Sequence, residues 1–530
     1  MGILTWMDSK EKSLIILLLL TTLFKGIVWT AFVPLWHTPD EQAHFAQVQY
    51  YAENRKGLSG DDLSQEVFES ERLLGTLRDS QGNNLFTYHP QYNIEYTDSS
   101  IGKYERQLQS IPFSARTAYI KKEAAGYPPL FYILSALGYT TAQPFDLFVR
   151  LSFTRMISVF LAVATVWASF LLSQSIFPKR TLLSIATASL VSFQPMFTLV
   201  TAGVNNDNLL NFLTTVLLWL LVDSLRKGMT ATRNLAMFIT LVLGFYTKQL
   251  IYPFIPLPLL VVIYDYLKKK KGRILYKNIF FIAVILAVAV ILLMRLLNSG
   301  YLPGWPMVNP QSPMVDLSLS TYLKQKLPVL YSETLPWYWG VFKWLGVVLP
   351  LTVLRIIKIV LAISLFGLVH YFLTRVWRKK FTTTDWQLML LIFSSLWFGF
   401  WLLLWDYMLV RSIGFSHGIQ GRYFFPNISA HMTLVVFGLW QLLKKYQRTI
   451  VKASVLAGAL LNFIALKTVL VSYYSVSPIS TLLKQASQYK PWFFKGGGLI
   501  VVFVIYLTFL INFLYSLIAF HEENKQKNSR

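Results

Sequence analysis

Apolar positions in this chain gather in runs close to twenty residues long, divided by polar stretches of very unequal length. A run of that length is what a helix needs to cross the hydrocarbon core of a bilayer. The pattern predicts about twelve membrane-spanning helices, at 13–31, 147–175, 181–202, 207–224, 233–248, 250–267, 275–297, 345–374, 385–410, 423–443, 450–474 and 496–520. Two polar segments stand out between them, residues 32–146 and 298–344. Within the first, Asp61-Asp62-Leu63 through Leu74 reads as a capped amphipathic helix and Gln81-Gly82-Asn83-Asn84 as a turn. The run opened by Pro128-Pro129 is too short to span.

Charge orients this pattern. With the N-terminus inside, Lys179-Arg180, Arg226-Lys227, Lys268–Arg273, Arg378-Lys379-Lys380, Lys444-Lys445 and the Lys525/Lys527/Arg530 tail all fall on the cytoplasmic side, as the positive-inside rule requires. A crossing at 128–142 would invert that order for the rest of the chain, so this run is assigned to an interfacial helix. The expectation is an all-α polytopic protein of the plasma (inner) membrane, one transmembrane unit over 1–530, with both termini cytoplasmic. It has a large first extracytoplasmic loop at 32–146 carrying interfacial helices, a second at 298–344, and a cytoplasmic tail at 521–530.

Composition agrees. Of 530 residues, 54% are hydrophobic and 14% charged, against about a quarter charged in soluble chains. The net charge of +24 sits in short clusters between apolar runs and so does not indicate nucleic acid. There is no cysteine, which excludes disulfides, thiolate metal sites and a thiol nucleophile. The N-terminal run lacks a small-residue cleavage site and reads as a retained span. Residues 32–127 hold 13 of the 25 acids.

The densest chemistry is Trp36-His37-Thr38-Pro39-Asp40-Glu41-Gln42-Ala43-His44-Phe45, just after the first span. On a helix, His37, Asp40, Glu41 and His44 share one side. A structural reading stands beside the catalytic one: Thr38 as N-cap, Pro39 at the first position and Glu41 at the third make a capping box. Three later outer edges are also polar. Asn205-Asn206-Asp207-Asn208 either caps a helix or presents Asp207 to the same aqueous space. Lys248 lies near the end of a predicted span, where it snorkels or meets an anion. Arg422, at the outer start of another, is either a headgroup anchor or a fork for phosphate or carboxylate. The second loop carries Tyr301–Pro306 and Pro336-Trp337-Tyr338-Trp339, an aromatic belt or a wall for sugar or prenyl chain.

Six motifs in this order resemble the GT-C superfamily of membrane glycosyltransferases, and within it a group of bacterial polytopic proteins: Pro39–Phe45, Tyr127-Pro128-Pro129-Leu130-Phe131-Tyr132, Asn205–Leu209, Thr247-Lys248, Trp337-Tyr338-Trp339-Gly340 and Gln420–Pro426. Protein O-mannosyltransferases and aminoarabinose transferases are more distant relatives. The resemblance implies a GT-C-like fold and an acid of the first loop as general base, mapping to Asp40 or Glu41. It further implies a polyprenyl-phosphate-sugar donor, whose phosphate meets Lys248 and Arg422, and a hydroxyl acceptor in a glycan, lipid or protein. His44, Asn206, Asp207 and Tyr423 complete the expected substrate site. The chain lacks the Asp-x-Asp pattern of metal-dependent members in its second loop and a large C-terminal extracytoplasmic domain; a divalent cation on Asp40, His44 and Asp207 is an open alternative. The rival functions are a ligase or polymerase using a lipid-linked oligosaccharide, a lipid or solute transporter, and a non-catalytic assembly protein.

Overall fold

Prolines decide where the apolar runs stay straight and where they break. The computed structural model describes residues 8–54, 62–78, 95–121, 127–268, 315–416, 418–442 and 444–520. In chain order the principal helices are α1 (Ser9–Phe32), α2 (Glu41–Asn54), α3 (Gln65–Leu74), α4 (Leu130–Thr141), α5 (Leu147–Ile176), α6 (Thr181–Phe193), α7 (Pro195–Thr201), α8 (Asp207–Lys227), α9 (Ala231–Phe245), α10 (Leu257–Lys268), α11 (Leu319–Val329), α12 (Leu335–Trp339), α13 (Leu351–Trp377), α14 (Thr383–Ile413), α15 (Ile428–Leu442), α16 (Gln447–Tyr473) and α17 (Gly497–Ala519). Among the described residues, α1, α5, α8, α13, α14, α16 and α17 are long and apolar enough to cross a membrane, and α6 with α7, bent by 62°, passes the same test only as a pair. The chain is an integral membrane protein.

Among the described residues the count of twelve is not confirmed. The runs at 233–248 and 423–443 give helices of 15 residues, α9 and α15, and 250–267 gives the 12-residue α10. At about 1.5 Å per residue a 15-residue helix covers roughly 22 Å of a roughly 30 Å core. Pro253 and Pro426 lie in the 3₁₀ turns Gln249–Phe254 and Gly421–Asn427 that precede α10 and α15, and Pro195 opens α7. Each proline lacks the N–H that an unbroken α-helix would need there. At the α6–α7 break the freed Ser192 carbonyl is taken by the buried amine of Lys25 from α1. The predicted span 275–297, the turn at 81–84 and Tyr301–Pro306 lie outside the described residues.

The helices α5 and α8 pack on each other at the centre, α1 packs on α5 and α17, and α13 packs on α15. Exposed apolar side chains on α13 and α17, such as Phe366, Leu373, Ile511 and Tyr515, mark lipid-facing surface. One end of the bundle collects Thr181, Arg226, Thr384 and Gln387 through hydrogen bonds to Glu11, Ser175, Ile176 and Val222. The opposite end collects the exit of α1, the α7–α8 turn, the α9–α10 break and the start of α15.

The described residues of 33–146 fold onto that second end. α4 is a 12-residue apolar helix, too short to span. The helix expected from Asp61 begins later: Asp62–Ser64 (β1) pairs antiparallel with Tyr119–Lys121 (β2), and Ser64 caps α3 by accepting from Val67 N–H at 3.2 Å. The fully buried Arg150 of α5 clamps this segment by gripping both oxygens of Glu66 on α3, at 2.5 and 3.0 Å.

Candidate active site

The chain leaves α1 through a tight turn before α2. Trp36 and Asp40 both sit in the left-handed region, at φ 64° and 57°, which an aspartate tolerates better than a bulky residue. Trp36 is fixed from both ends: its indole N–H donates to Ser70 at 2.9 Å, and its carbonyl accepts from Trp344 at 3.1 Å. Gly203, in the α7–α8 turn, lies against Thr38 so closely that a methyl group there would overlap the threonine hydroxyl. Asn205 ties the two turns together, donating to the Pro39 carbonyl at 3.0 Å while capping Asp207 N–H at 2.8 Å.

This local geometry separates the two adjacent acids. Helix α2 begins at Glu41, and Thr38 Oγ1 has no hydrogen-bond partner among the described residues, so the expected capping box does not form. The left-handed Asp40 turns the backbone one residue too late for it. Glu41 is instead fully buried, accepting from Arg155 of α5 at 2.7 and 2.6 Å and from the Val204 N–H at 3.1 Å. That pairing ties the α1–α2 turn, α5 and the α7–α8 turn into one rigid corner. Asp40 faces the other way and keeps 29% of its side chain exposed.

Around Asp40 stands a cluster drawn from four separate linkers. Arg422 donates to its Oδ2 at 2.5 Å and Arg78 to its Oδ1 at 3.2 Å. Lys248 pairs with Asp207 at 2.5 Å. His44, one turn along α2, lies within electrostatic reach of Asp40, Asp207, Lys248 and Arg422, and Tyr423 within reach of Arg422, Asp40 and Lys248. Burial acts to raise the Asp40 pKa, but Arg422 and then Arg78 override it and hold the carboxyl well below its usual range. Burial lowers His44 to about 3, despite the opposing pull of Asp40, so its imidazole is neutral at physiological pH. Arg422 is buried with its Nη1 unpartnered among the described residues, as are Asp207 Oδ2 and Asn206 Oδ1.

Aromatic rings line the cluster. His44 shares a hydrogen bond with Tyr132 at 2.9 Å and stacks on Tyr127 and Tyr132; the Lys248 amine stands 5.1 Å over the Tyr127 ring. On the other side, Gly421 packs so tightly on the Tyr338 backbone that no side chain fits. Beyond it, starting at Phe424 two residues after Arg422, runs an apolar cavity of about 390 Å³ lined by α12, α13 and α15, including Leu335, Tyr338, Trp339, Leu365 and Met432. Its buried polar groups, Tyr338 Oη and His431 Nδ1, satisfy each other at 3.1 Å.

Residues 23–430 match the family described as predicted membrane protein DUF2142. The chain belongs to the DUF2142 family. Every cluster residue, from Asp40 to Arg422, lies inside the matched stretch. No curated protein sequence matches this chain. Among solved structures, the DUF2142 chain is similar to ArnT from Cupriavidus metallidurans in the apo state, at 13% identity and TM-score 0.39, over 94% of this chain and 75% of that one. It is also similar to ArnT from the same organism bound to undecaprenyl phosphate, at 11% identity and TM-score 0.38, over 94% and 76%.

Of the residues singled out in this DUF2142 sequence, Asp40, His44, Asp207, Lys248, Arg422 and Tyr423 converge. Asn206 lies at the edge, its amide 3.5 Å from the Thr247 carbonyl. Glu41 is walled off on Arg155. Lys248 is not deep in a helix, because α9 ends at Phe245 and Lys248 is extended, at φ −164°. The set Asp40, His44 and Asp207 does not form a metal site: among the described residues no group of three or more His, Asp or Glu is placed to hold an ion, each carboxylate being turned toward its own cation. Arg155 and Arg78 were not anticipated. Arg155, like Arg150, carries a readable signal, a charge inside the predicted span 147–175 that demands a partner. Arg78 carries none.

Proposed function

We propose that this chain is an inverting glycosyltransferase that moves a sugar from a polyprenyl-phosphate carrier to a hydroxyl acceptor on the extracytoplasmic face. The observation that carries the reading is the buried cluster in which Asp40 and Asp207 alternate with Arg422 and Lys248, beside an apolar cavity. Glycosyl transfer from a phosphate carrier needs cations at the leaving oxygen and a carboxylate at the attacking one. The six motifs that resemble GT-C enzymes support it as well, since each of them places a residue at this cluster or on the wall of the cavity.

In the proposed step the acceptor oxygen attacks the anomeric carbon and its proton passes to Asp40. The bond from that carbon to the phosphate oxygen breaks, and its electron pair leaves with the phosphate, held by Arg422 and Lys248. The prenyl chain lies in the cavity between α12, α13 and α15. Neutral His44 and Tyr423 border the sugar. The extracytoplasmic assignment rests on the basic clusters, such as Arg180 and Arg226, lying at the opposite end of the bundle.

The test is turnover of a panel of polyprenyl-phosphate sugars by the purified protein in lipid, with Lys248→Gln alongside. Acceptor-dependent release of polyprenyl phosphate is expected, with donor KM raised about tenfold or more in the variant through loss of one charge-assisted contact. No turnover with any donor, together with no binding of polyprenyl phosphate, would remove the reading.

A further inference from the structure

We infer that the two ion pairs of the cluster are placeholders: the donor phosphate takes Arg422 and Lys248 away from Asp40 and Asp207, and Asp40 is released to act as base only by that exchange. The inference rests on the glycosyltransferase reading and says in what order its site is assembled.

Three observations carry it. First, the cluster is incompletely paired although Arg422 and Asp207 are buried. Arg422 Nη2 holds Asp40 at 2.5 Å while its Nη1 has no partner, and Asp207 accepts Lys248 on Oδ1 while Oδ2 has none among the described residues. Buried polar groups left without partners cost free energy and mark room for a further polar group. Second, both cations that could bind a phosphate are already engaged by carboxylates, so an incoming anion competes with Asp40 and Asp207 for the same donors. A guanidinium fork donates to phosphate or carboxylate in the same bidentate geometry. Third, Asp40 has a second guanidinium. Arg78 donates to Oδ1, the oxygen that Arg422 does not take, at 3.2 Å, so the carboxylate keeps one partner when Arg422 turns away. A carboxylate gripped by two arginines is a poor proton acceptor, and losing one makes it a better one. Donor binding and base activation are then one event, and an acceptor arriving first finds a masked base.

The decisive consequence runs against the usual effect of mutating a site residue. Removing either carboxylate's charge frees a cation and strengthens phosphate binding. The experiment titrates a polyprenyl monophosphate lacking any sugar into the full chain in phosphatidylcholine nanodiscs, as wild type, Asp40→Asn, Asp207→Asn and Arg422→Gln. The expected result is binding roughly tenfold tighter in each Asn variant, the equivalent of one competing charge-assisted contact removed, and weaker in Arg422→Gln. Wild type that binds while both Asn variants bind equally or more weakly overturns the exchange, the carboxylates then serving the fold. Asp207→Asn carries the same test should Asp40→Asn fail to fold. A wild type that does not bind the lipid phosphate at all removes the glycosyltransferase reading itself.

Discussion

Asp40 and Glu41 are neighbours in sequence with opposite physical fates. Glu41 is sealed against Arg155, and breaking a buried pair from one side leaves the other charge uncompensated, at a cost of about 3–5 kcal/mol. Arg155→Met is therefore expected to destabilise the protein by about that amount in chemical unfolding, with whatever fraction stays folded retaining donor binding. His44 gives a pH prediction. Its folded pKa of about 3 lies below the ordinary 6.5, so the unfolded chain takes up a proton as pH falls through 6.5 while the folded one does not. Its contribution is fully present above pH 6.5 and shrinks below it, by roughly 2 kcal/mol at pH 5. The melting temperature of wild type should thus fall more between pH 7.5 and pH 5 than that of His44→Gln. Equal falls would mean that His44 is protonated in the folded state. The polar residues that stand at the edges of apolar runs were readable as a site, because a charge there needs a reason. Their pairing was not, since Asp40 and Arg422 are 382 residues apart and nothing local joins them.

Helix breaks are what bring these edges together. The hydrophobic pattern locates the runs well but is indifferent to whether a run is one straight helix. Pro195, Pro253 and Pro426 each turn a predicted span into a shorter helix and a bend, and the last two bends hold Lys248 and Arg422 at their borders. Those prolines were visible; what they did depended on partners such as Lys25 that satisfy the freed backbone. The α7–α8 turn depends on contact rather than on propensity. Gly203→Ala would press a methyl group into Thr38, and overpacking of this kind costs about 1–3 kcal/mol. Thermal unfolding and transfer should both suffer, while Gly497→Ala, where a methyl group meets nothing within 4 Å, should leave both unchanged. Equal effects at the two glycines would contradict the contact.

As a whole, the described residues form a mostly helical membrane scaffold whose central helices, α5 and α8, set the position of a polar corner at one end. Arg150 and Arg155 of α5 anchor the 33–146 segment to it, and α8 begins with Asp207 inside it. The apolar cavity that begins at Phe424 is bounded by α13, whose exposed apolar side chains mark lipid-facing surface. The proposed transfer depends on Asp40 accepting the acceptor proton. The most direct measurement is the single-turnover rate of sugar transfer by purified Asp40→Asn with saturating polyprenyl-phosphate sugar, compared with wild type. A loss of about 10²–10⁴-fold, with the lipid phosphate still bound, is predicted for removal of a general base; an Asn variant that transfers at close to the wild-type rate would contradict it.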